Sequence, residues 1–82
     1  MTMYTLKATL EEADAIAKGD KQFVFRSESM PCGVGDEITF QPYKAGKMTR
    51  HPIERMKFGV TYVSADAPIE RGFKIIGIRQ IG

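Results

Sequence analysis

The 82-residue sequence predicts an α+β domain: a small mixed β-barrel of about five strands, with one N-terminal helix after the first strand. Three observations carry this. Short runs with period-2 alternation recur along the chain. A complete set of helix start and stop signals occurs once, between Thr9 and Gly19. The length allows one domain, residues 1–82, and too small a core to leave long sheet edges unprotected, so the sheet is expected to curl and close. An open sheet with the helix on one face is the alternative.

The elements follow in order. Tyr4, Leu6 and Ala8 alternate with Thr5 and Lys7, which reads as a strand over Met3 to Ala8. Thr9 stands at an N-cap position three residues before Glu12, the spacing of a capping box. Glu11, Glu12 and Asp14 lie where the helix dipole favours negative charge, and read as a solvated face. Leu10, Ala13, Ile16 and Ala17 make one apolar stripe, and Gly19 supplies the stop. The second strand is Lys21 to Arg26, with Phe23 and Phe25 on one face and Gln22, Val24 and Arg26 on the other. A loop with Pro31, Gly33 and Gly35 leads to a third strand, Asp36 to Tyr43, in which Pro42 suggests an edge or an exit. Lys44 to Pro52 reads as a polar, basic loop. The fourth strand is strongest over Lys57 to Val63, and Ala65 to Gly72 is a loop. The last strand, Phe73 to Ile81, puts Phe73, Ile75, Gly77 and Arg79 on one face.

Composition narrows the function classes. One cysteine, Cys32, cannot staple its own chain, and one histidine, His51, cannot complete a Cys/His zinc site with it. No metal and no cofactor are expected. The start lacks a basic n-region and an apolar run, and no stretch approaches the roughly 18 apolar residues of a membrane span, so a cytoplasmic location without membrane attachment is expected. The net charge of +2 is uneven: seven acids face four bases in residues 1–40, and three acids face eight bases in residues 41–82. Such asymmetry points toward an anionic partner, against the bland reading that it serves solubility alone.

Two groups of residues could carry binding. Lys21 and Arg26 flank an aromatic strand that follows the helix stop, and together offer a point charge and a planar fork for phosphate. The competing reading pairs Arg26 with Glu28 or Asp36 and leaves Lys21 solvated. Lys44, Lys47, Arg50, Arg55 and Lys57, with His51 among them, form a basic segment opposed only by Glu54 and preceded by Tyr43. A flexible basic loop beside an aromatic ring suits phosphate neutralisation plus base stacking. A solvated loop is the alternative. Phe23, Phe25, Phe40, Phe58, Tyr62 and Phe73 are expected inside, because so small a domain needs its large apolar residues in the core, while Tyr4 and Tyr43 are expected outside. Cys32 reads as structural, and His51 as a surface residue.

Gly19, Lys21 and Arg26 fall at three positions of the G-x-K-x-x-E-x-R motif of the ASCH superfamily, which the chain thus resembles. Within it the chain is most similar to a small family frequent in phages and prophages. Leu6-Lys7, Phe23, Val34-Gly35-Asp36, Tyr43, Val60-Thr61-Tyr62 and Gly72-Phe73 follow that family's pattern over nearly the whole length. The resemblance implies a PUA-like barrel that binds RNA or another nucleic acid in a cleft beside the helix, through Lys21, Arg26 and the 44–57 segment. Similar small proteins hydrolyse acetylated cytidine with the motif lysine, a threonine and a separate glutamate. Here Val24 stands where the motif has Glu or Thr and supplies neither hydroxyl nor base, which argues for binding over catalysis. Two further expectations stay open: a modified-pyrimidine-nucleoside amidohydrolase that uses Lys21, and a phage-derived module that binds a host protein.

Overall fold

The computed structural model describes residues 2–66, 69 and 71–82; Ala67, Pro68 and Glu70, within the loop expected before the last strand, lie outside the described residues. The elements are β1 (Met3–Thr9), α1 (Leu10–Ala17), β2 (Phe23–Ser27), β3 (Glu37–Lys44), β4 (Lys47–Met48), a 3-10 helix (Pro52–Arg55), β5 (Phe58–Ser64) and β6 (Phe73–Gln80). The strands form one mixed sheet in the order β1-β3-β5-β6-β2, with β4 paired to β3, curled into a half-barrel. Only β1–β3 is parallel.

α1 forms where its signals lie. Thr9 is extended, and its hydroxyl accepts the Glu12 N–H (3.1 Å). Gly19 takes the left-handed conformation (φ 83°), and its N–H donates to the Ile16 carbonyl. The helix buries Ala13 and Ile16 and packs on β1, β3 and the 3-10 helix. The concave side of the sheet holds the core around Ile38, Phe40, Ile53 and Ile76, with the Phe40 and Phe58 rings edge to face at 5.4 Å. Fully burying one such side chain stabilises by about 1.5–3 kcal/mol.

Several expectations need correction. Phe23, Phe25, Tyr62 and Phe73 are exposed, whereas Val24 is fully buried. The alternation in β2 was assigned to the wrong sides, because Val24 faces the apolar interior across from Ile76. The same register puts Lys74 inside, opposite Arg26, where its ammonium donates to the carbonyls of Met30 and Cys32. Tyr4 and Tyr43 are half-buried rather than exposed. Pro42 lies inside β3, which pairs on both sides. Its carbonyl accepts from Thr49 N–H, so its nitrogen faces that side too, in the gap between the last β5 pair and the first β4 pair. Residues 44–57 are not a flexible loop: they form the β3–β4 hairpin and the 3-10 helix. The sheet does not close through backbone pairing of β1 with β2. Instead Arg26 spans the gap, donating through Nη2 to the Lys7 carbonyl (2.7 Å).

Candidate functional site

The site is organised by a residue that sequence reasoning left on a solvated face. Glu12 occupies the third helical position, where a capping box would turn its carboxylate back to Thr9. It turns instead toward β2. Lys21 Nζ donates to Oε2 (2.8 Å) and Arg26 Nη2 to Oε1 (3.2 Å). Lys21 and Arg26 therefore converge on Glu12, and Arg26 pairs with it rather than with Glu28 or Asp36. Asp36 is taken by the Gly33 and Thr2 N–H groups, which hold its carboxyl below the ordinary value. For Glu12, burial pushes the pKa up, but the Lys21 hydrogen bond and the Arg26 and Lys21 charges outweigh it, and the net shift is downward. The signal for Glu12 was its position: the third residue of a helix looks back over the preceding strand end.

Arg26 is also committed to the backbone. Nη1 donates to the Phe25 carbonyl (2.6 Å), besides the bond to Lys7. Three of its five N–H donors are thus engaged, and two remain for a ligand. Beside it opens a cleft of about 400 Å³ lined by Lys7, Ala8, Thr9, Glu12, Arg26, Tyr43 and Gly46. The Lys7 ammonium lies 5.2 Å from the centre of the Tyr43 ring, a cation–π contact. Lys21 stands on the far side of Glu12, against Thr9, Glu11 and Ala15, and its ammonium is 5.5 Å from the Phe23 ring centre.

The β3–β4 hairpin stands at the cleft through Gly46. Its turn residues Ala45 (φ 52°) and Gly46 (φ 78°) are both left-handed, the backbone of a two-residue type I′ turn. Alanine lacks the Asn or Gly chemistry for that region and costs about 1 kcal/mol there. Lys44 and Lys47 are direct cross-strand partners, and like charges so placed are destabilising. The hairpin therefore carries two local costs at the edge of the cleft.

The remaining basic residues are elsewhere. Arg50 and Arg55 line a separate cleft of about 380 Å³ with His51, Pro52 and Glu54. Arg50 pairs with Glu54 at 3.7 Å on an almost fully exposed side chain, a contact of little energetic weight. His51 is structural. Nδ1 accepts from Ile53 N–H (3.0 Å), Glu54 accepts from His51 N–H, and Nε2 faces Asp14 Oδ1 at 2.6 Å, which ties the 3-10 helix to α1. Lys57 pairs through its backbone with Ile81 and Gly82, outside the cleft lining. Cys32 is buried, and burial pushes its thiol pKa up, the opposite of activation. Val24 points into the core and does not face Lys21 or Glu12. Among the described residues, no helix is long and apolar enough to cross a membrane, and no three His, Cys, Asp or Glu side chains gather as metal ligands. No protein-family model matches this chain, and no curated protein matches it.

Proposed function

We propose that this chain is a nucleic-acid-binding module, as the resemblance to the PUA-like ASCH domains implies, and that the cleft between Arg26 and the β3–β4 hairpin takes a phosphate and an adjoining base. The observation that carries the reading is the hairpin. Lys44 and Lys47 oppose each other across a strained turn whose Gly46 lines the same cleft as Lys7, Arg26 and the half-buried Tyr43 ring. Strain and like-charge opposition persist where function uses them. A phosphate between Lys44 and Lys47 would turn a repulsion into two attractions. Tyr43 then offers a ring face for one base, and the Arg26 Nε–H and remaining Nη1–H each offer a single donor to a neighbouring phosphate.

The geometry favours binding over hydrolysis. The Lys21 ammonium is held by Glu12, and Val24 gives its methyl groups to the core, so Lys21 has no hydroxyl partner at the motif position. Arg50, Arg55 and Lys57 fall outside this reading.

Fluorescence anisotropy with a labelled single-stranded RNA across a salt series tests it. The doubly substituted Lys44→Ala/Lys47→Ala chain should bind more weakly and lose about 0.7 units from the slope of log K against log salt, at ~0.7 for the one phosphate held between the two lysines. An unchanged slope, or no binding by the parent chain at low salt, removes the proposal.

A further inference from the structure

We infer that the convex face of β5, β6 and β2 is a second surface for single-stranded nucleic acid, a platform on which unpaired bases stack. The sheet's outer side is divided. Over β1 and β3 it is polar and carries Thr5, Lys7, Thr39 and Gln41, with the two threonine hydroxyls 3.1 Å apart. Over β2, β6 and β5 it is aromatic. Register places Phe23, Gly77 and Tyr62 in one row, Phe25, Ile75 and Ser64 in the next, and Ser27 and Phe73 in the third. A half-covered antiparallel sheet ordinarily turns polar residues outward. Here the rings of Phe23, Phe25, Tyr62 and Phe73 are 37%, 46%, 58% and 44% exposed. At about 200 Å² per residue, they expose roughly 400 Å² in all, comparable to the largest apolar patch of an ordinary monomer, about 300–600 Å² and often functional.

Ring chemistry and charge identify the occupant. The exposed apolar surface is largely aromatic, with the Phe23 and Phe25 rings edge to face (5.6 Å, 80°), and stacking on aromatic rings is how single-stranded nucleic acid is held without sequence readout. The outward positions of these three strands include one charged residue, the cationic Arg79, and no acid. Lys21 lies over the Phe23 ring; Arg71, Asp20, Glu28 and Asp66 all stand outside the strands, with the Glu28 N–H on the Gly72 carbonyl beside Phe73. Gly77 shapes the platform. A Cβ there would lie 3.0 Å from Thr61 Oγ1 and 3.1 Å from Tyr62 Cβ, so Gly77 is where the bulged Thr61 and the neighbouring Tyr62 pack down onto β6. Lys21 touches both Glu12 and Phe23, which makes the platform continuous with the cationic cluster.

This surface shares with the cleft only the class of partner, and the two are separable. The test uses a labelled oligo(U) of about ten nucleotides and an abasic strand with the same phosphates. Phe25→Leu/Phe73→Leu keeps apolar area and removes the π-faces; Phe25→Tyr/Phe73→Tyr keeps both. The Leu pair should weaken oligo(U) binding on the order of tenfold or more, with an unchanged salt slope and unchanged abasic binding, and the Tyr pair should bind within about twofold of the parent. Equal binding by the Leu pair overturns the inference. So does sedimentation of the parent as a dimer that Phe25→Asp dissociates. The cleft is read by the Lys44→Ala/Lys47→Ala slope on both strands, so either surface can fail alone.

Discussion

Glu12→Gln is expected to lower stability and raise affinity for nucleic acid at the same time. Glu12 accepts from Lys21 at 2.8 Å and from Arg26 at 3.2 Å, with its side chain 19% exposed. A buried hydrogen bond to a charged group contributes about 1.5–3 kcal/mol, and exposed pairs contribute less than about 1. Glutamine keeps one acceptor, and Arg26 keeps its two carbonyls, so the net loss should be about 1–2 kcal/mol. For a chain of this size that lowers Tm by roughly 4–15 °C. Affinity moves the other way. A phosphate on the free Arg26 donors would sit about 6 Å from the carboxylate, and removing that repulsion at an effective dielectric between about 20 and 80 gains about 0.7–3 kcal/mol, at least roughly threefold. Calorimetry reads the first effect, and RNA anisotropy at low salt reads the second. If affinity falls along with stability, Glu12 builds the binding surface rather than competing with the ligand, and the reasoning fails. Acid should act in the same direction as the substitution. Because the folded-state pKa of Glu12 lies below its ordinary value of 4.5, its contribution is complete above that value and is lost as pH falls through the lowered one.

Three further outcomes follow from other parts of the molecule. Lys74→Met should cost about 2–4 kcal/mol, because it strips a donor from the Met30 and Cys32 carbonyls; a lower urea midpoint at unchanged m-value shows this, and an equally stable variant refutes it. His51→Ala should cost about 1 kcal/mol through the lost cap, and should raise the Asp14 pKa, which the His51 hydrogen bond now holds down; a carboxyl titration by NMR that leaves Asp14 in place contradicts the assignment. Cys32 should react with a disulfide reagent only as fast as the fold opens, since burial both covers its thiol and raises its pKa. Reaction at the rate of a free thiol would show that the loop does not stay closed.

The parts of the fold legible in sequence were those with local causes. Thr9, Gly19 and the stripe through Ala13 and Ile16 mark α1 by chemistry within one helix length, and the main strands follow from alternation. Alternation sorts residues into two faces without saying which is inside. In β2 the size of Phe23 and Phe25 suggested the interior, but the concave side is already filled by Phe40, Phe58 and the isoleucines, and takes the smaller Val24. The hairpin was missed because Ala45-Gly46 lacks the asparagine or aspartate that usually announces a type I′ turn. That Lys21 and Arg26 belong to one motif was legible from their spacing. Their meeting point was not, because Glu12 becomes their neighbour only once α1 folds back along β1.

The most direct measurement is a ¹H–¹⁵N NMR titration of the folded chain with single-stranded RNA at low salt. Besides those on the convex aromatic face, shifts should appear at Lys7, Thr9, Tyr43, Lys44, Gly46 and Lys47, and at the Arg26 side-chain Nε–H, and these should fade as salt is added. A spectrum that does not move at those positions, or moves only around Arg50 and Arg55, would contradict the cleft as the seat of binding.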